Sequence, residues 1–245
     1  MAASAHPASK IAAPKATPSA SAEPLLALEH VSFSYDEHLA LDDVSLSVNR
    51  GETVALVGPN GCGKSTILRL CVGLDTPTAG ELRFCGQRVD QESMANASFA
   101  KRLRQRIGFV FQDSDVQLFC PTVRDEISFG PRQMGLPEAE IQARTNDCLN
   151  LLGINDLADR APYQLSGGEK KRVAVACVVS LAPDLLLLDE PTNALDEEGE
   201  ARVINFLQRY VRAGHSVLFT THHRDLVSAL SARVVRMDAQ HHICA

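Results

Sequence analysis

The sequence predicts an α/β protein with a mainly parallel core sheet, an antiparallel β layer beside it and an inserted helical subdomain. Three observations carry that prediction. Short apolar runs at Thr53 to Val57, Leu185 to Leu188 and Ser216 to Phe219 have the length of strands covered on both faces. Earlier segments alternate instead, as half-exposed antiparallel strands do. Between about Thr122 and Leu181 the strand signals fade and helical spacing replaces them.

In chain order, residues 1–24 are mostly Ala, Ser and Pro with Lys10 and Lys15, too poor in large apolar groups to offset chain entropy. A disordered tail is expected there, with the folded domain spanning 25–245. The tail lacks the continuous apolar core of a secretory signal and the arginines of a transit peptide. From Leu26, Leu28, His30 and Ser32 alternate with Glu29, Val31 and Phe33. Val44, Leu46 and Val48 then alternate with Asp43, Ser45 and Ser47. These two runs are the antiparallel layer.

The run Thr53 to Val57 stops at Gly58, and Ile67 to Val72 reads as a helix, so the chain passes from strand through a glycine loop into a helix. Ile107 to Phe111 is a further strand, closed by Gln112. In the helical subdomain, placed at about 120–181, Glu138 to Leu152 sets Ile141, Cys148 and Leu152 near one face. After Leu185 to Leu188 an amphipathic helix aligns Val203, Leu207 and Tyr210, and the strand Ser216 to Phe219 completes a βαβ crossover.

Composition excludes several function classes. The chain has 245 residues and a formal charge of -6, so no surplus of cations favours nucleic acid as a partner. No run approaches the roughly 18 to 20 apolar residues that cross a bilayer. The seven cysteines, at 62, 71, 85, 120, 148, 177 and 244, form no Cys-x-x-Cys pair, which suits a reducing compartment. The pairs His222-His223 and His241-His242, with Cys244, have no helix-borne metal spacing.

Gly58-Pro59-Asn60-Gly61-Cys62-Gly63-Lys64-Ser65-Thr66 fits Gly-x-x-x-x-Gly-Lys-Ser between a strand and a helix. Small residues let the backbone wrap a phosphate, and the N–H groups at the helix start face the anion. Lys64 is expected to reach the β and γ phosphates of ATP, and Ser65 to offer its hydroxyl to Mg²⁺. The strand Leu185 to Leu188 ends in Asp189-Glu190, setting two carboxylates at the carboxyl edge of the sheet. Asp189 suits Mg²⁺ binding, and Glu190 suits a general base acting on an in-line water.

Leu165-Ser166-Gly167-Gly168-Glu169-Lys170-Lys171-Arg172 precedes the helical run Val173 to Leu181. A Ser hydroxyl and two glycine N–H groups at a helix start form a second anion site. This segment resembles the signature of ATP-binding-cassette (ABC) ATPases, and the resemblance covers the chain from about Leu26 onward. It implies a P-loop NTPase fold in which two cassettes pack head to tail, Ser166, Gly167, Gly168 and Glu169 of one closing over the γ-phosphate of the other. It further implies adenine stacking by Tyr35, a Q-loop role on Mg²⁺ and water for Gln112, a D-loop role for Asp196, and a switch-histidine role for His222. His223 stands where the family has an acid, and its role stays open.

Phe111-Gln112-Asp113-Ser114-Asp115-Val116-Gln117-Leu118-Phe119, with Pro121-Thr122-Val123 and Phe129-Gly130-Pro131, resembles ATPases of energy-coupling-factor importers, particularly the cobalt and nickel branch. Ser114 and Val116 depart from the usual Pro and Asp. The resemblance implies a subunit on the cytoplasmic face of the membrane that works as a homodimer, or a heterodimer with a related ATPase. Its further partners would be a transmembrane coupling subunit and a substrate-binding membrane subunit. Leu118 and Phe119 are the expected anchors on the coupling subunit. A vitamin importer and a soluble non-transport ABC ATPase are the alternatives.

Overall fold

A computed structural model describes residues 23–193 and 195–244, so the tail expected over residues 1–24 falls, for residues 1–22, outside the described residues. The core sheet runs in the order β10 (Ile243–Cys244), β9 (Arg233–Met237), β3 (Thr53–Val57), β8 (Ser216–Thr220), β7 (Leu185–Asp189) and β6 (Ile107–Val110). Neighbours are parallel except β10, which runs antiparallel to β9.

The continuously apolar strands are explained by the layers on each side of them. Val54 and Leu56 of β3, Leu185 and Leu187 of β7 and Leu218 of β8 face one core, shared with the antiparallel layer and α1 (Lys64–Cys71). Ala55, Leu186, Leu188, Val217 and Phe219 face a second core on the opposite side of the sheet. The second core is roofed by α4 (Val123–Gln133), α5 (Glu138–Leu152), α6 (Gly167–Val179) and α7 (Glu197–Arg212). Each fully buried Leu stabilises the fold by about 1.5–3 kcal/mol relative to exposure, so one central strand feeds two cores.

The predicted faces of α5 and α7 hold: Ile141, Cys148 and Leu152, and Val203, Leu207 and Tyr210, are all buried. All seven cysteines are free thiols. Burial pushes the Cys148 thiol up to about 12.

The antiparallel layer, ordered β2 (His38–Val48), β1 (Leu26–Tyr35), β4 (Ala79–Phe84) and β5 (Gln87–Arg88), departs from strict alternation. The β1 register shifts between Leu28 and Val31, with His30 at φ 51° and Asp43 opposite at φ 49°. A bulge inserts one residue and reverses the facing of the residues after it. Leu28, Val31 and Phe33 are therefore all buried, while His30 is exposed and takes Asp43 Oδ1 at 2.7 Å. Sequence reading also passed over β4, β5 and the helices α2 (Gln91–Ala95) and α3 (Ala97–Arg106), which join this layer to β6.

Two boundaries move. Helix α1 begins at Lys64 rather than near Ile67, and α6 begins at Gly167, placing the Ser-Gly-Gly segment in its first turn. Leu118, expected on the surface with Phe119, instead packs against the second core. The neighbouring Gln117 holds it there, accepting from Phe111 N and donating to Ala174 O. Phe119 stays 69% exposed, edge-on to Phe129 at 5.0 Å, and Val116 is equally exposed.

Candidate active site

The carboxyl ends of β3, β6, β7 and β8 open on one cleft of about 480 Å³. It is lined by Asn60, Gly61, Gly63, Lys64, Ser65, Thr66, Gln112, Asp189, Glu190, Asn193, His222 and His223.

The loop leaving β3 is shaped by the strands beneath it. Gly63 caps α1 at φ 104°, and a Cβ there would collide with Ala40 O of β2 and with Leu41. A Cβ on Gly58 would stand 2.6 Å from Met237 O. The loop therefore rests on β2 and β9 with no room for a side chain at Gly58 or Gly63. Lys64, 7% exposed, donates from Nζ to Gly58 O and Pro59 O at 2.9 Å each. Its ammonium is held over the loop by these two carbonyl oxygens, in charge-assisted bonds.

Across the cleft Asp189 closes β7 and Glu190 comes next at φ 48°, both buried. Thr220, fully buried on β8, donates to Asp189 Oδ1 at 2.7 Å and accepts from Glu190 N at 2.9 Å. One hydroxyl thus fixes both acidic residues. Glu190 Oε1 lies 3.1 Å from His222 Nε2, yet no described residue closes an aligned hydrogen bond to it. A buried carboxylate oxygen left open costs about 1–3 kcal/mol or more unless something outside the chain uses it.

The donor set suits a nucleotide with a hard divalent cation. A hydroxyl from Ser65, an amide oxygen from Gln112 and a carboxylate from Asp189 are all oxygen donors, the kind Mg²⁺ prefers.

Several expected residues stand apart from this cleft. Tyr35 ends β1, donating to Asp75 Oδ2 at 3.2 Å and meeting Phe33 edge-on at 4.8 Å; it does not line the cleft. Pro59 and Cys62 belong to the loop but not to the lining, and Cys62 is buried. Ser166 caps α6: its Oγ accepts from Glu169 N at 3.3 Å, while Glu169 Oε2 accepts from Ser166 N at 2.7 Å. Gly167 and Gly168 lie in the first turn, and none of these four lines the cleft of its own chain.

Asp196 caps α7 by accepting from Gly199 N at 2.8 Å, and its carboxylate stands near Gly168. Ala194, in the same loop, lies outside the described residues. Residues missed in the sequence are Asn193, whose N–H donates to Glu190 O, and Thr220. No motif flagged Thr220; only the pairing of β7 with β8, Asp189 opposite Thr220, reveals it. His242 Nε2 meets Asp42 Oδ2 at 3.1 Å, and Cys244 lies opposite Arg236 in the β10–β9 register.

The chain's similarities agree with this geometry. The family model described as ABC transporter matches residues 41–193. The nickel import ATP-binding protein LarO of Lactiplantibacillus plantarum is 44% identical over 221 residues, covering 90% of this chain and 92% of that protein. The energy-coupling factor transporter ATP-binding protein EcfA of Methanothermobacter thermautotrophicus is 41% identical over 211 residues, 86% of this chain and 67% of that protein. Among solved structures, cbiO1 of Clostridium perfringens, part of the ABC transporter complex cbiONQ, superposes with a TM-score of 0.80 at 35% identity. That match covers 91% of this chain and 87% of cbiO1.

Proposed function

Because the chain belongs to the ABC transporter family, as an ATP-hydrolysing subunit of the energy-coupling-factor type, we propose that it powers uptake of nickel or cobalt ions. Uptake passes through a separate transmembrane subunit, with a further membrane subunit binding the substrate. Among the described residues no helix is long and apolar enough to cross a membrane. The cargo is supported by the nickel import of LarO, and the membrane partners by the place of cbiO1 in a transporter complex. The chain works from the cytoplasmic face, its 25–245 unit binding ATP and the helical subdomain at about 120–181 meeting the membrane partner. Exposed Val116 and Phe119, on the segment leaving Gln112, support that side as the docking face.

The observation that carries the site assignment is the meeting of Lys64, Gln112, Asp189, Glu190 and His222 on one cleft. Gly58 to Thr66 cradle the triphosphate, with Lys64 neutralising its β and γ oxygens, and Tyr35 offers a half-exposed ring to adenine. Ser65, Gln112 and Asp189 hold Mg²⁺, which supplies electrostatic stabilisation of the transferring phosphoryl group. Glu190 takes the proton of the attacking water through its open Oε1, and His222 Nε2, 3.1 Å from that oxygen with no aligned bond to it, is free to donate to the γ-phosphate. The signature residues Ser166, Gly167, Gly168 and Glu169 are absent from their own chain's cleft, which supports their acting on the nucleotide of a second ATPase subunit, identical or related. Asp196, beside Gly168, belongs to that same contact.

The test is uptake of radioactive nickel and cobalt into vesicles carrying the chain with its co-purifying membrane subunits. ATP-dependent metal uptake is expected, abolished in Glu190→Gln. That variant keeps ATP binding and loses hydrolysis by on the order of 10² to 10⁴. ATP-driven vitamin uptake without metal uptake would reassign the cargo, and full activity in a soluble complex lacking any membrane subunit would overturn the transport reading.

A further inference from the structure

The nucleotide cleft and the Ser166 turn lie at opposite ends of one set of side-chain ties, and the central tie is a buried lysine that has no part in the cleft itself. Lys171, on the second turn of α6, is 3% exposed. Its Nζ donates to Phe111 O at 3.0 Å and to Gln112 O at 2.6 Å. These are the carbonyls where the chain leaves the end of β6, beyond the last paired residue of that edge strand. Buried carbonyls without a ladder partner need a donor from elsewhere.

Burial holds the Lys171 pKa below the ordinary lysine value, against the charges of Asp189, Asp113 and Glu190, which favour its protonated form. A buried cation in this position is tolerated because acceptors and carboxylates surround it.

Two further ties run in parallel. Gln117 bridges Phe111 N to Ala174 O, and Lys170 Nζ meets Asp115 Oδ1 at 2.5 Å. The first turns of α6 are thereby fastened to residues 111–117 at three places. The same stretch carries Gln112 into the cleft at one end and continues to exposed Phe119 at the other.

We propose that Lys171 is a positioning residue: it sets the backbone of Gln112 against the start of α6, so that loss of its two bonds loosens the 112–119 stretch and the Ser166 turn together. The inference rests on Gln112 acting in the cleft chemistry. It adds that the placement of Gln112 is imposed from the signature helix and not by β6 alone. Lys171 touches neither substrate nor water; it acts through the two carbonyls it holds. Removal of its donors frees Gln112 without altering the Gly58 to Thr66 cradle, which is built on β2 and β9.

The experiment compares the purified full chain with Lys171→Met and Lys171→Arg by steady-state ATP hydrolysis, equilibrium ATP binding and amide hydrogen exchange. Met keeps the stem and removes every donor; Arg keeps charge and donors. A misplacement of order 1 Å at a reacting site costs up to about a hundredfold. Lys171→Met is therefore expected to lower kcat by roughly ten- to a hundredfold, with KM and the ATP dissociation constant within about twofold of wild type.

Amides of 112–119 and of the first turn of α6 should exchange faster together while those of α1 do not change, and Lys171→Arg should recover most of kcat. An unchanged kcat in Lys171→Met overturns the proposal. So does a loss of kcat accompanied by equal loss of ATP affinity and faster exchange throughout, which is a general structural role. If Lys171→Met is recovered unfolded, Lys171→Leu, which also lacks any donor, is read by the same split and the same criteria. Failure of Glu190→Gln to stop hydrolysis would revise the cleft chemistry while leaving the paired exchange of 112–119 and α6 as measured, so the two readings fail separately.

Discussion

Thr220→Val isolates the one hydroxyl that holds both acidic residues of the cleft. Val replaces the Oγ1 that donates to Asp189 Oδ1 at 2.7 Å and accepts from Glu190 N at 2.9 Å, in a side chain with no exposure. Orphaning a buried N–H costs about 1–3 kcal/mol, and a bond to a charged group contributes about 1.5–3 kcal/mol. Against this, the apolar replacement spares the desolvation of the hydroxyl itself, about 1–3 kcal/mol on mutational scales.

The net expectation is a loss of about 1.5–3 kcal/mol. For a domain of this size each kcal/mol lowers Tm by about 2–4 °C, so Tm should fall by roughly 3–12 °C. Thr220→Ser keeps both bonds and loses a methyl, worth about 1 kcal/mol. The assay is thermal unfolding of both variants without nucleotide, since bound ATP would add its own stabilisation. A Val variant as stable as the Ser variant would refute the bridging role.

Two further outcomes are expected from the same geometry. Gly63→Ala must place a Cβ against Ala40 O at φ 104°, so it should abolish ATP binding or folding, read by equilibrium binding and circular dichroism; normal binding would contradict the described loop. His215 is buried against Tyr210 at a ring distance of 4.0 Å, and burial lowers its pKa. The unfolded chain then takes up a proton that the folded ring refuses. Stability is full above about pH 6.5 and falls as pH drops below it. His215→Phe should flatten the Tm difference between pH 7.5 and pH 5.5, and an unchanged difference would remove His215 from that role.

Features that recur at fixed spacing along the chain were legible in the sequence. The Gly58 to Thr66 loop, the Leu185 to Glu190 strand end and the helix over Glu138–Leu152 are local, and the structure has them where the spacing put them. Features set by partners distant in sequence escaped. The bulge at His30 shows only in the register with β2, so alternation read along β1 alone assigned Val31 and Phe33 to the face opposite Leu28.

Thr220 is an ordinary strand residue until β8 is laid beside β7, and Leu118 looks like a surface anchor until Gln117 is tied to α6. The separation of the Ser166 turn from its own cleft is likewise a fact of three dimensions. A motif names an anion site but not whose anion it takes.

That question has a direct test in Gly167. A Cβ built there meets nothing within 4 Å, and the residue occupies the first position of α6. Gly167→Asp therefore finds room within its own chain. An acidic side chain in the first turn gains about 0.3–1 kcal/mol from the helix dipole, and replacing helical Gly gains a few tenths more. The isolated chain should fold at least as well as wild type and bind ATP in its own cleft unchanged. In an assembly where this turn closes over a neighbour's triphosphate, the same carboxylate meets phosphate oxygens of like charge, which costs several kcal/mol. Hydrolysis should then fall by on the order of 10² or more, since about 1.4 kcal/mol corresponds to tenfold. Light scattering of a hydrolysis-dead Glu190→Gln background with ATP should show dimers for the parent and monomers for the Gly167→Asp derivative. Wild-type hydrolysis in Gly167→Asp would place the γ-phosphate's second contact somewhere other than this turn. Reduced ATP binding by the monomer would mean that the turn serves its own cleft after all.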